Sequence, residues 1–202
     1  MTIIRPYRPI DHDAVHDICL RTAHCGGDAR PHFRDPDILP EIFALPYTHL
    51  EPQLAFVLAD ADDRAVGYVL ATGDTAAFAA RFRDEWLPRV SGRYPAPDGT
   101  DPRDGDEALR RLLHSPEHML VPALAPYPAH LHMGMLPEHR RQGHGRALLG
   151  RLVLALQEAG VPALHLGVAT ANTAALAFYR RTGLHDIDVP DAGPVTYLGR
   201  RV

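Results

Sequence analysis

Apolar residues recur along this chain with two periods, and their alternation predicts a mixed α/β fold. Period-two patterns and short apolar runs predict strands at 2–7, 53–59, 65–72, 163–169, 184–189 and 193–198, besides a central strand that Pro137 ends. Apolar spacings of three and four predict helices at 11–24, 37–50, 75–87 and 106–113, and after Gly145 and Asn172. Asp11 and Asn172 are suited to cap helix starts. We expect a sheet of about six to seven strands flanked by helices.

The sharpest pattern lies between residues 128 and 156. Leu131, Met133 and Met135 alternate with His130, His132 and Gly134, which is the period of a strand. A glycine-bearing turn follows, and then an apolar helical stripe of Leu148, Leu149, Leu152, Val153 and Leu156. The pattern therefore predicts strand, glycine loop and helix in succession.

The turn before this helix has the composition of an anion site. The first N–H groups of a helix lack intrahelical partners, and the helix dipole is positive there. Gly143 and Gly145 have no Cβ, so a phosphate could approach their backbone closely. Arg140, Arg141 and Arg146 add positive charge. A plain turn with solvated arginines is the alternative.

Composition bounds the class of protein. The 202 residues, 46% of them hydrophobic, suit a single domain spanning 1–202, enlarged by a helical and loop insertion at 75–127. The net charge of −4 gives no sign of nucleic-acid affinity, and no apolar run is long enough for a membrane span. Two cysteines without a C-x-x-C, and no apolar leader, lead us to expect a cytoplasmic protein. Among 13 histidines only His130 and His132 are closely spaced, so we expect no metal site.

The segment R-x-x-G-x-G, held by Arg140, Gly143 and Gly145, resembles the coenzyme-A pyrophosphate loop of the GCN5-related N-acetyltransferases (GNAT). It lacks the G-K-[ST] ending of a nucleotide P-loop, and Leu148 breaks the dinucleotide pattern G-x-G-x-x-G. The resemblance implies a GNAT fold with acetyl-CoA as co-substrate. It implies that the backbone of Met133 and Met135 pairs with the pantetheine arm. It further implies that backbone amides hold the pyrophosphate, those of Arg141, Gln142, Gly143, His144, Gly145 and Arg146.

A second segment carries the same resemblance. Residues 172–184 follow the GNAT pattern N-x-x-A-x-x-F-Y-x-x-x-G-F, with Leu184 in place of the final Phe. Asn172 and Tyr179 are two helical turns apart and so share a face. By resemblance Asn172 binds the coenzyme arm and Tyr179 protonates the departing thiolate. A phenol, with an ordinary pKa of about 10, holds its proton at neutral pH. Tyr179 as an amphipathic core residue is the alternative.

The run A-H-L-H ahead of the loop resembles serotonin N-acetyltransferase, whose paired histidines serve base catalysis. Residues two apart on a strand lie on one face. Carried over, His130 and His132 would pass a proton from the substrate amine, since histidine titrates near pH 6.5. Two hydrogen-bonded histidines without a catalytic role remain the equal alternative.

A wider resemblance covers nearly the whole chain. Residues 4–7, 56–58, 67–68, 72–74 and 198–200 are similar to the acetyltransferase-like C-terminal domain of animal O-GlcNAcase, of which this chain resembles a free-standing bacterial relative. Asp74 could hold a cationic acceptor there, or simply cap a turn.

These patterns predict an acetyl-CoA-dependent N-acetyltransferase that transfers acetyl directly to an amine, a small molecule or a peptide. The alternative is a non-catalytic acyl-CoA- or peptide-binding module.

Overall fold

A seven-stranded mixed sheet forms the centre of the computed structural model, which describes residues 1–99 and 101–202. The strand order is β1-β2-β3-β4-β5-β7-β6. The strands are β1 (Ile3–Pro6), β2 (Ala55–Ala59), β3 (Ala65–Thr72), β4 (Ala129–Met135), β5 (Ala163–Ala169), β6 (His185–Ile187) and β7 (Val195–Arg201). The mixed α/β fold expected from the hydrophobic pattern is thus confirmed.

Helices cover both faces of this sheet. They are α1 (His12–Thr22), α2 (Ile38–Phe43), α3 (Leu45–Leu50), α4 (Thr75–Arg81), α5 (Leu87–Val90), α6 (Gly105–His114), α7 (His144–Glu158) and α8 (Thr173–Arg181). On one face α1 and α3 pack against β3, and α1 also contacts β4. On the other face α7 packs against β1, β2 and β3, with the Arg151 guanidinium 4.3 Å from the Phe56 ring centroid.

The sheet opens between β4 and β5. The strands from β1 to β4 are joined by antiparallel ladders, and β5 pairs with β7 over its whole length. The parallel pairing of β4 with β5 covers only Ala129 with Leu164 and His130 with His165. Beyond His130 the two central strands diverge, and a gap opens in the middle of the sheet.

Two helix predictions need correction, and proline explains both. The single helix expected at 37–50 is two helices, with Ala44 in a non-helical conformation between them (φ −137°, ψ −63°). Pro46 lacks the N–H that would continue the first helix. The helix expected at 75–87 contains a π-helical turn, Phe82–Trp86, which ends two residues before Pro88. A proline that cannot donate to the preceding turn favours such a widened turn.

Asp11 occupies the N-cap position of α1, as predicted, but its side chain makes no capping hydrogen bond. Its buried carboxylate accepts two hydrogen bonds from the Arg5 guanidinium, at 2.7 and 2.8 Å, and one from the Arg8 backbone N–H. Arg5 is itself buried and also bonds Asp63 in the β2–β3 turn. The ion pair therefore ties β1 to the start of α1 and to that turn.

Candidate active site

The gap beside β4 is bordered by backbone groups without ladder partners. The Leu136 N–H donates to Val66 O (3.0 Å), so the even-numbered residues of β4 bond to β3. The N–H and C=O groups of Met133 and Met135 therefore point the other way, toward β5, which no longer pairs with β4 there. Met135 O is taken by the Arg140 guanidinium (2.8 Å). The Met133 groups and the Met135 N–H face the gap and have no partner among the described residues.

The loop ahead of α7 presents a row of free donors. Among the described residues, no acceptor bonds the backbone N–H groups of residues 141–146; the first helical bond of α7 runs from Ala147 N to Gly143 O. Gly143 has φ +84° and nothing within 4 Å of where a Cβ would stand, and Arg141 also has positive φ. Successive N–H groups around a left-handed residue form an anion-binding concavity. These residues therefore fit a pyrophosphate.

The three arginines of this loop have different roles. Arg140 points inward: its Nε donates to Met135 O and its Nη2 to Gly26 O, both at 2.8 Å. Arg141 and Arg146 are exposed and, within the described part of the chain, form no ion pair. Only the last two are free to add positive field at the loop, whereas Arg140 fixes the loop to β4 and to the turn after α1.

The other polar groups of the loop are also placed. The Gln142 side chain donates to Glu138 O, and His144 Nε2 lies 3.4 Å from the Thr2 hydroxyl. A Cβ on Gly145 would stand 3.2 Å from Phe178. A side chain at residue 145 would crowd Phe178 of α8, so glycine favours this packing for a reason other than phosphate approach.

Helix α8 brings Asn172 and Tyr179 to this region. Asn172 caps the helix, its side-chain oxygen accepting from the Ala175 N–H (3.2 Å), and its amide group stays available as a donor. Tyr179 is 5% exposed, and burial raises the pKa of its hydroxyl well above 10. No described group hydrogen-bonds this hydroxyl. The Tyr179 phenol is therefore buried, protonated and without a hydrogen-bond partner among the described residues.

The two histidines of β4 share one face, as their spacing predicts, and a tyrosine from α3 joins them. Tyr47 Oη lies 2.7 Å from His130 Nε2 and 3.1 Å from His132 Nε2. His130 Nδ1 lies 2.8 Å from Thr75 Oγ1. His130 and Tyr47 are buried, whereas His132 is half-buried.

Burial keeps these histidines neutral. Loss of solvent lowers the pKa of His132 to about 4 and that of His130 well below its ordinary value, and the neighbouring His165 lowers both further. A neutral imidazole has one lone pair and can accept a proton.

Asp74 caps α4. Its Oδ1 accepts from the N–H groups of Ala76 and Ala77, at 2.9 and 3.0 Å, which is the turn-capping alternative. Asp74 also lies at a cavity of about 280 Å³ between the start of α4 and residues 119–128. Apolar side chains form most of its wall. Thr75 and His165 also line it, beside His130 and His132. Asp74 therefore caps the helix, and its position at the cavity is also compatible with contact to a cationic acceptor.

No group of three or more His, Cys, Asp or Glu side chains among the described residues is arranged to hold a metal ion. Both cysteines are free thiols; burial raises the pKa of the Cys19 thiol to about 12, and Cys25 is exposed. None of the described helices combines the length and the apolar character of a membrane span.

Tyr47, Thr75 and His165 were not foreseen from the sequence. Tyr47 lies in an apolar stretch of helix, where an aromatic residue indicates core packing and nothing more. Only the packing of α3 on the sheet places its hydroxyl between the two histidines, and no sequence signal reports that packing.

The sequence profile of the acetyltransferase (GNAT) family matches residues 22–184. The chain belongs to this family. The GNAT chain is 26% identical over 200 residues to the protein O-GlcNAcase of Rattus norvegicus, an alignment that covers 98% of the chain but 22% of the relative. Over 53 residues, 26% of the chain, it is 42% identical to the [ribosomal protein bS18]-alanine N-acetyltransferase of Escherichia coli strain K12. The chain thus spans about a fifth of the length of the O-GlcNAcase relatives.

Solved structures agree with this membership. The crystal structure of SsHAT superposes with a TM-score of 0.96 at 57% identity, covering 99% of this chain and 98% of that one. The structure of yncA from Salmonella typhimurium with its cofactor acetyl-CoA has a TM-score of 0.55 at 15% identity, over 99% of this chain and 93% of that one, so it shows the fold alone. The resemblance to GNAT proteins and to O-GlcNAcase is therefore confirmed.

Proposed function

We propose that this GNAT protein is an acetyl-CoA-dependent N-acetyltransferase that moves the acetyl group directly to an amine. The observation that carries the proposal is the gap between β4 and β5, bordered by unpaired backbone groups of Met133 and Met135. An extended amide-bearing chain such as pantetheine is complementary to such an open strand edge. Acetyl-CoA would supply an activated thioester carbonyl.

The loop would hold the pyrophosphate of that co-substrate. The free N–H groups of residues 141–146 offer neutral donors, and the exposed guanidinium groups of Arg141 and Arg146 add charge. Arg140 would act indirectly, because its bonds to Met135 O and Gly26 O keep the loop in place. Asn172 could offer its free amide to the coenzyme arm.

Proton transfer would fall to the β4 histidines and Tyr179. As the C–N bond forms, the attacking nitrogen becomes cationic and its N–H becomes strongly acidic, so an imidazole whose pKa is near 4 still suffices as acceptor. Tyr179 keeps its proton at neutral pH and can share it with the departing sulfur. No covalent enzyme intermediate is required, and positioning supplies much of the rate.

The acceptor would be a primary amine of a small molecule or a peptide. The cavity between α4 and residues 119–128, with Asp74 at its wall, lies beside His130 and His132. It could hold part of the acceptor. Two free thiols suit a reducing cytoplasm, which we propose as the location.

Calorimetry with acetyl-CoA tests the co-substrate site. We expect binding by the parent and loss of at least about ten-fold in affinity for Gly143→Glu and Arg141→Glu, because each places a negative charge at the loop. Arg141→Glu avoids the strain of a side chain newly placed at positive φ. Gly150→Glu is the matched control, since Gly150 lies exposed on α7 with nothing within 4 Å of its Cβ position.

Turnover is measured separately, as thiol released from acetyl-CoA with a panel of amines and peptides. Binding without thiol release by any amine would favour the non-catalytic acyl-CoA-binding module. Equal affinity of the parent and both loop variants would refute the proposed site.

A further inference from the structure

The hydrogen bonds around His130 have one consistent direction. Thr75 Oγ1 lies 2.8 Å from Pro128 O and 2.8 Å from His130 Nδ1. A carbonyl only accepts, so the single hydroxyl hydrogen of Thr75 goes to Pro128 O. His130 Nδ1 must then donate to Thr75. The reverse arrangement would leave the oxygens of Thr75 and Pro128 2.8 Å apart with no hydrogen between them.

This direction carries through to His132. Because neutral His130 has its hydrogen on Nδ1, its Nε2 holds a lone pair and accepts the Tyr47 hydroxyl hydrogen at 2.7 Å. Tyr47 has no second hydrogen to give, so His132 Nε2, 3.1 Å away, is the donor in their contact. The lone pair of His132 therefore lies on Nδ1, and this atom forms no hydrogen bond to any described group. The two histidines hold opposite tautomers.

The surroundings of the two histidines also differ. Their ring centroids are 6.0 Å apart and perpendicular, and no hydrogen bond joins the rings directly. Tyr47 is locked between them, 1% exposed and stacked on Phe78 with a centroid distance of 4.4 Å. His130 lies deeper than His132, so a charge would be less stable on His130. Proton transfer inward from His132 to His130 would therefore run uphill.

We propose that the paired histidines divide the work: His132 Nδ1 is the base that receives the amine proton, and Tyr47 and His130 are positioning residues that hold it in the required tautomer. The proposal rests on the acetyltransferase function. The N–H bond of the attacking nitrogen breaks as its proton binds His132 Nδ1. The resulting imidazolium keeps its Nε2–H bond to Tyr47, and the Tyr47 hydroxyl keeps its hydrogen, which it still donates to His130 Nε2. The C–N bond forms, the C–S bond breaks, and the departing sulfur takes the Tyr179 proton. After product release His132 gives its proton to solvent and Tyr179 takes one back.

Nitrogen NMR of histidine-labelled protein tests the tautomers without any turnover. We expect the hydrogen of neutral His132 on Nε2 and that of His130 on Nδ1, with the signals assigned by their loss in His132→Gln and His130→Gln. In Tyr47→Phe, which keeps the ring stacked on Phe78, His132 should populate both tautomers. A hydrogen on Nδ1 of His132 in the parent would overturn the proposal.

Kinetics with an accepted amine separate a positioning role from proton transfer. A glutamine at 130 can still accept from Tyr47 but cannot carry a proton. We expect His130→Gln to lower kcat/KM about three-fold and His130→Leu far more, while His132→Gln costs about a hundred-fold. Tyr47→Phe should lower kcat about ten-fold with KM unchanged, because Tyr47 is buried away from solvent.

Equal losses in His130→Gln, His130→Leu and His132→Gln would show that both histidines carry the proton and would refute the division. If no amine is acetylated by a parent that shows the expected tautomers, the proposed function fails and the base role with it, while the hydrogen-bond direction stands.

Discussion

Burial of the two neutral histidines of β4 should make the fold sensitive to mild acid. His132 has its pKa lowered to about 4 by burial, against about 6.5 in an unfolded chain. Between these pH values the unfolded state binds more protons than the folded state. The free energy of unfolding therefore falls as the pH falls through this window, and the effect is absent above about pH 6.5.

The size of this effect follows from the shift. Each pKa unit corresponds to about 1.4 kcal/mol, so the change for His132 amounts to about 3 kcal/mol by pH 4. That is a large part of the 5–15 kcal/mol, roughly, that stabilises an ordinary domain. His130, whose pKa is lowered in the same direction and for the same cause, adds to it.

Urea unfolding at several pH values between about 7.5 and about 4.5 measures the effect, with His132→Gln and the exposed His49→Gln as a matched pair. The difference in unfolding free energy between the parent and His132→Gln should shift in favour of the variant as the pH falls, because glutamine acquires no charge. His49→Gln should follow the parent. If His132→Gln loses stability with acid as steeply as the parent, the buried-histidine argument is wrong.

Three further predictions concern single substitutions. Tyr179→Phe should lower kcat about a hundred-fold while acetyl-CoA affinity by calorimetry stays unchanged, since only a proton donor is removed; an unaltered kcat would exclude Tyr179 as the acid. Arg140→Ala should lower the urea-unfolding free energy by about 1–3 kcal/mol, because Met135 O and Gly26 O lose a charged donor; no loss would contradict its anchoring role. Gly150→Ala should raise it by up to about 1 kcal/mol, since the exposed helical site has room for a methyl group; a decrease would show an unrecognised contact.

The local pattern was enough to predict the strand, loop and helix at the centre of the chain. Alternation placed His130 and His132 on one face, Pro137 follows the end of β4, and Asn172 caps α8 as its residue type suggests. These features depend on neighbours within a few residues, which the sequence displays directly. The division of residues 37–50 was missed because helical periodicity on either side of Pro46 hides a break at Ala44.

The parts that escaped prediction depend on contacts distant in sequence. The Arg140 guanidinium bonds Gly26 O, 114 residues away, a contact that the local motif does not report. Tyr47 meets His132 across 85 residues, and Phe178 explains Gly145 from another helix. Each of these side chains has an ordinary composition for its local segment, so only the packing of elements reveals its role.

The short pairing between β4 and β5 has a consequence for cooperativity of folding. Two residue pairs join the four-stranded part of the sheet to the three-stranded part, so little backbone hydrogen bonding couples the stability of one part to the other. A ligand seated along Met133 and Met135, as we propose, would replace part of the missing ladder from outside the chain. Such a ligand is then a component of the folded sheet as much as a reactant, and protection of amide hydrogens on both sides of the gap should rise together with its concentration.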